Sequence, residues 1–152
     1  MSTQKEITEE LALSRLAAAC SRREHCTGEM LEKMRQWKLS DEAQARIIKY
    51  LTENKYIDDE RFARLFVRDK MTFNKWGRKK IEQALWMKRI DEKLISDILD
   101  EIDKNEWKTI LLPLLKAKRK TIKAESDYDC SMKLIRFALS RGFTMDVIHD
   151  CL

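Results

Sequence analysis

At 152 residues the chain suffices for one ordinary domain, or for three small units sharing a core, with about two thirds of the unfolded surface buried on folding. Three glycines and one proline are too few for the turns of a sandwich or barrel, so the chain reads as all-α. The formal net charge of +5 is modest, no run approaches the roughly 18 apolar residues that span a bilayer, and the opening MSTQKEITEELALSR has no basic region leading into an apolar run, so a soluble, unexported, cytoplasmic protein is expected.

Helices are predicted near 9–24, 28–38 and 41–54, with Thr8, Thr27 and Ser40 as caps and an apolar stripe of Leu13, Leu16, Ala17 and Cys20 on the first. A second set is predicted near 59–73, 77–88 and 92–103. Asp58 caps its first helix, Asp59 and Glu60 suit the positive end of the helix dipole, and Phe62, Leu65 and Phe66 form the buried stripe. The third set begins near Asn105 with a long helix to about Lys123, followed by helices near 128–140 and 145–152. Pro113 falls inside the long helix, where a kink or a later helix start is expected. The one stretch of loop-like composition is 122–129.

These nine helices repeat a pattern. Shifting the chain by 51 sets Met30, Met34, Leu39, Ala43, Ile47 and Leu51 on Ile81, Leu85, Ile90, Leu94, Ile98 and Ile102, and a further shift of 53 brings Leu134, Ala138, Phe143, Val147 and Cys151 into the same register. Ser40, Asp91 and Thr144 recur as polar helix starts. Copies of about 50 residues that cannot bury their apolar faces alone point to a stacked helical array, here divided as 1–57, 58–104 and 105–152.

Charge is segregated along the chain. Arg61 to Arg89 holds ten basic residues against Asp69 and Glu82, Lys116 to Lys123 holds five and no acid, and Asp91 to Glu106 holds seven acids against Lys93 and Lys104. That pattern predicts a basic face on the middle and third units, turned towards an anion or an acidic surface.

The run Tyr56-Ile57-Asp58-Asp59-Glu60-Arg61-Phe62-Ala63, continuing through Phe66-Val67-Arg68-Asp69, resembles the signature of the bacterial RecX family. Arg22-Arg23-Glu24-His25-Cys26 with Glu29-Met30-Leu31 is similar to the family's first unit. Gly77 with Lys80-Ile81, Leu85, Lys88 and Ile90 is similar to the second, and Ile135 to Phe143 to the third. The resemblance implies three tandem three-helix repeats in an elongated, curved array that binds the RecA recombinase filament on single-stranded DNA and restrains it. The chain departs from the family where a turn glycine follows a basic residue. Leu39, or Lys38 one position earlier, stands there in the first unit and Arg89 in the second, which leaves the closing of those helix ends open.

Arg61, Arg64, Arg68 and Lys75 follow spacings of three, four and seven and are expected on one side of their helix, either gripping phosphates or a carboxylate-rich partner, or forming a solvated face with local pairs such as Glu60 to Arg64. Lys75, Arg78, Lys79 and Lys80 surround Trp76, a mixture suited to phosphate contact with base stacking, or to a tryptophan packed between units. Lys118, Arg119 and Lys120, with Lys116 and Lys123, cannot share one helix face and offer general electrostatic attraction. Asp58 and Asp59 read as helix caps rather than acid–base or metal residues. His25 with Cys26, and His149 with Cys151, lack zinc-site spacing, the four cysteines form no CxxC pair, and no metal, cofactor or disulfide is expected. Met30, Met34, Met71, Met87, Trp37 and Trp86 are expected in inter-helix packing.

GxxxxGK[ST] and GxGxxG are absent, so nucleotide-dependent catalysis is disfavoured. The expectation is a monomeric, non-enzymatic regulator of recombination and DNA repair. A direct DNA-binding module with 78–89 as recognition helix is the alternative, and a purely structural adaptor the third reading.

Overall fold

The computed structural model describes residues 6–152; the first five, with which the first expected repeat opens, lie outside the described residues. Among the described residues the structure is all-helical: α1 (Glu9–Arg22), α2 (Thr27–Gln36), α3 (Asp41–Glu53), α4 (Asp59–Asp69), α5 (Arg78–Met87), α6 (Glu92–Asp100), α7 (Lys104–Arg119), α8 (Asp127–Ser140) and α9 (Met145–Cys151), with a π-helical turn at Lys70–Asn74. No helix among them is long and apolar enough to cross a membrane.

The helix starts follow local chemistry. Thr8 and Ser40 hydroxyls each accept from the backbone N–H three residues on at 3.1 Å, and Asp58 and Asp91 carboxylates do the same at 3.0 and 3.2 Å. The expected cap at Thr27 is displaced by one residue. Cys26 takes the cap position, the Glu29 carboxylate accepts from the Cys26 N–H at 3.2 Å, and the Thr27 N–H donates to Asp59 at 2.8 Å. Thr144 also stands at a helix start, but its hydroxyl donates to Asp146. The long helix begins at Lys104 and runs unbroken through Pro113, so it does not start late. Proline leaves the Thr109 carbonyl without a helical donor, and both residues are exposed.

The helix ends show why the repeat is regular. Lys38 (φ 58°), Arg89 (φ 62°) and Gly142 (φ 94°) are all left-handed, and they are spaced by the same 51 and 53 residues that align the repeats. Leu39 N–H returns to Met34 O and Phe143 N–H to Ala138 O, each at 3.2 Å, the six-residue closure that favours glycine. The register is therefore that of Lys38, whose turn closes as the glycine turn does, and Arg89 shares its left-handed backbone. Each costs on the order of 1–2 kcal/mol of backbone strain, repaid by the packing of the helices that follow.

Two compact units are present, one running to Ala63 and including Lys88–Ile90, the other comprising Arg64–Met87 and Asp91–Leu152. In the first, Ala12, Leu16, Met30, Met34, Ile47, Leu51 and Ile57 form a buried cluster, with Leu13, Ala17, Cys20 and Trp37 packed against it. Burial of each large side chain stabilises by roughly 1.5–3 kcal/mol. In the second, α7, α8 and α9 pack on one another and α5 packs on α6.

The stripe on α4 differs from the expected one. Phe62, Ala63 and Val67 are buried, Met71 continues the line, and Leu65 points to solvent. Trp86 and Met87 also depart from expectation: they are 61% and 70% exposed, because the inward positions of α5 are Ile81 and Leu85.

The start of α5 is locked to the α8–α9 turn. Gly77 N–H donates to Arg141 O at 2.8 Å and Lys79 N–H to Gly142 O at 2.9 Å, and a Cβ at residue 77 would lie 2.4 Å from the Phe143 nitrogen. Only glycine admits that approach. A parallel contact occurs in the first unit, where a Cβ at residue 28 would come 2.2 Å from the Lys88 carbonyl oxygen.

Candidate nucleic-acid interface

The arginines form ion pairs. Arg61 bonds Glu24 at 2.9 Å and also donates to the Lys55 and Tyr56 carbonyls; Arg64 bonds Glu101 at 2.7 Å, Arg68 bonds Glu106 at 3.3 Å and Arg78 bonds Asp100 at 2.6 Å. Each acid lies 22 to 38 residues away in sequence. These partners lie far outside the neighbour spacing that a single helix offers. Lys75 is not on the α4 row: α4 stops at Asp69, the π-turn follows, and Lys75 occupies a left-handed position (φ 57°) beyond it.

The lysines around Trp76 behave differently. Lys70 Nζ and Lys80 Nζ each lie 4.9 Å from the centre of the Trp76 ring, and Lys70 also lies 5.3 Å from that of Phe66. Among the described residues, Lys70, Lys75, Lys79 and Lys80 make no ion pair. From Lys70 to Ile81 the sequence contains no acid, Asp69 being the nearest before it. The charges of Lys70 and Lys80 are held in place by aromatic faces rather than neutralised.

A second cluster lies beside the first. Lys118 Nζ and Arg141 Cζ each sit 5.3 Å from the Phe137 ring centre, and the bonds from Gly77 to Arg141 and from Lys79 to Gly142 join the two clusters. The result is a basic strip from Lys70 through Trp76 and Lys80 to Arg141, Phe137 and Lys118. Arg119 and Lys120 are exposed at the end of α7, and Arg119 with Lys116 borders a shallow hollow formed by Leu112, Pro113, Leu115 and Cys151. The five cations of this segment therefore divide among faces.

The first turn of α5 is not an open anion site, because two of its donors are spent on the α8–α9 turn. A recognition helix presents that same end to base edges, and here it is covered by protein backbone.

Three titratable groups in the first unit, Cys26, Glu29 and His25, have shifted affinity. Burial pushes the Cys26 thiol up to about 11. Burial also raises the Glu29 carboxyl, but the Lys88 ammonium at 3.1 Å, the Cys26 N–H and Arg23 outweigh it and hold it below the ordinary carboxylate range. Buried His25 is held below its usual value by desolvation, then by Arg23; its Nδ1 lies 3.3 Å from Glu29, off hydrogen-bond alignment. Among the described residues no three His, Cys, Asp or Glu side chains converge as metal ligands, and the four cysteines are free thiols.

Residues 58–99 match the family model for the second three-helix domain of RecX, and residues 109–152 match that for the third. The chain belongs to the RecX family. It is 38% identical over 112 residues to the regulatory protein RecX of Clostridium botulinum strain Alaska E43, covering 72% of this chain and 52% of that one. It is 31% identical over 131 residues to the regulatory protein RecX of Acinetobacter baylyi, covering 86% and 79%. The chain thus spans about half the length of the clostridial relatives it matches. The crystal structure of RecX from Lactobacillus salivarius shares the fold, with a TM-score of 0.84 at 22% identity over 94% of this chain and 93% of that one. A second RecX crystal structure gives 0.86 at 21% identity, covering 94% and 72%.

Lys70, Phe73, Phe137 and Arg141 escaped the reading of the sequence. A signal for most of them was present. Phe66 and Lys70, Trp76 and Lys80, and Phe137 and Arg141 are each spaced by four residues, the helical distance at which a cation reaches an aromatic ring.

Proposed function

We propose that this chain is a non-enzymatic, cofactor-independent regulator of homologous recombination and DNA repair, which binds the RecA filament on single-stranded DNA as a cytoplasmic monomer and restrains recombinase activity. Membership of a family whose curated relatives are named regulatory proteins supports the regulatory role. The observation that carries the choice of surface is the set of unpaired lysines around Trp76. Cations without acidic partners retain their full attraction for phosphate, whereas the α4 arginines would first have to give up a carboxylate.

On this reading Lys70, Lys75, Lys79 and Lys80, with Trp76, meet the polyanionic strand or acidic recombinase surface. Lys118, Arg119 and Lys120 add long-range attraction, and Arg64, Arg68 and Arg78 hold the helices that present the strip, while Arg61 is paired within the first unit. Restraint is steric: a protein seated along the filament opposes the subunit movements or additions that strand exchange requires.

The test compares binding to bare single-stranded DNA, free recombinase and assembled filament, for the native chain and for Lys79→Glu/Lys80→Glu beside Arg64→Glu/Arg68→Glu. Preference for the filament, lost in the lysine variant alone, is expected. Equal filament binding by the lysine variant would remove this surface from the proposal.

A further inference from the structure

Phe73 is 77% exposed, and no large apolar side chain among the described residues is more so. Single exposed apolar residues are common on surfaces, so exposure alone assigns nothing. Its setting does. Phe73 lies inside the π-turn Lys70–Asn74, between the unpaired Lys70 and Lys75, in a stretch without acids.

A π-turn carries one extra residue and so rotates the side chains that follow by about a third of a turn relative to a continuing α-helix. The turn then closes on Lys75 in a left-handed conformation, with Trp76 N–H returning to Lys70 O at 3.1 Å. A non-glycine residue in that region and a π-turn are each disfavoured locally, so the surrounding structure holds a conformation that leaves Phe73 uncovered.

The two aromatic residues here are not equivalent. Trp76 is half-buried, and its ring carries two ammonium groups at 4.9 Å each. Trp76 is engaged in holding Lys70 and Lys80, while among the described residues no cation or ring engages Phe73. An open aromatic face flanked by unneutralised cations is the arrangement that takes a nucleotide: the cations meet the phosphates and the ring meets the base.

We propose that Phe73 is a base-stacking residue for single-stranded nucleic acid, with Trp76 acting as a positioning residue that sets the lysines for the flanking phosphates. This rests on the reading of the strip as a polyanion-binding surface and adds that bases, as well as phosphates, are contacted. Phe73, rather than Trp76, is thereby assigned the stacking role that the sequence offered to Trp76.

The experiment measures binding of the whole chain by fluorescence anisotropy to a labelled oligothymidylate and to an abasic strand of the same length and charge. Phe73→Ala is expected to weaken oligothymidylate binding roughly 10- to 100-fold and to leave the abasic strand nearly unchanged. Phe73→Tyr should restore base-dependent binding. Circular dichroism of both variants should match the native chain, since the ring is exposed. Equal loss on both strands, no loss on either, or loss confined to binding of free recombinase would overturn the assignment, the last in favour of a protein contact. Binding of the native chain to recombinase-coated against bare strands is read separately, so a failure of the filament proposal leaves the base dependence of Phe73 measurable.

Discussion

Two sets of like charge occupy α4 and the stretch from the following π-turn into α5, and their surroundings differ. Arg61, Arg64 and Arg68 each meet a distant carboxylate, while Lys70 and Lys80 meet aromatic rings and Lys75 and Lys79 are exposed. A guanidinium fork suits a bidentate carboxylate, and Arg64 donates through both terminal nitrogens to Glu101. A compact ammonium on a flexible stem is the better choice where charge must stay available. Formal charge by position would have grouped the two sets; their partners separate a structural row from a candidate binding strip.

The separation can be broken most directly by charge reversal. Lys70→Glu/Lys80→Glu should reduce affinity for filament or single strands roughly 100-fold at about 0.1 M salt, and flatten the logarithmic salt dependence by about 0.7 for each phosphate that is no longer neutralised. Its thermal unfolding should remain close to that of the native chain. Loss of folding in this variant would make the lysines structural and erase the contrast.

Lys88 supplies the opposite limit, a lysine already committed to an acid in the interior. Glu29→Gln should cost about 1–3 kcal/mol in denaturant unfolding, since Lys88 and the Cys26 N–H are deprived of a charged acceptor, with nucleic-acid affinity unchanged. Because the Glu29 carboxyl titrates below the ordinary range in the folded chain, its contribution is complete above that range and disappears as pH falls through the lower folded value. The native and Glu29→Gln stabilities should therefore converge only in acid, below about pH 4.

The left-handed lysines sharpen the comparison. Lys38→Gly and Lys75→Gly both relieve a disfavoured φ and should raise stability by about 0.5–1 kcal/mol. Only Lys75→Gly should also weaken single-strand binding. Identical binding of the two variants would show that Lys75 contributes nothing to the strip. The smallest effect is expected from Arg64→Ala/Arg68→Ala, whose exposed pairs should leave the unfolding midpoint within about 2–4 °C and binding within about twofold.

Several elements were legible because their causes are local. The caps at Thr8, Ser40, Asp58 and Asp91 depend on a side-chain oxygen three residues before a backbone donor, and the spacings of 51 and 53 recur in the turns at Lys38, Arg89 and Gly142. The misplaced elements have non-local causes. Leu65 and Trp86 were assigned inward by apolar character, but α4 and α5 bury Ala63, Val67, Ile81 and Leu85 instead. The Thr27 cap moved to Cys26 because Asp59, 32 residues on, takes the Thr27 N–H.

By itself the amino-acid order determined helix content, the repeat, the family and the presence of interleaved cations and aromatics, since each follows from periodicity or from neighbours within a turn. Tertiary structure decided which distant acids neutralise Arg61, Arg64, Arg68 and Arg78. Coulombic pairing depends on distance in space, and the acids that claim the arginines arrive from 22 to 38 residues away. The same holds for Phe73, whose exposure results from a π-turn and a left-handed lysine that no local preference favours.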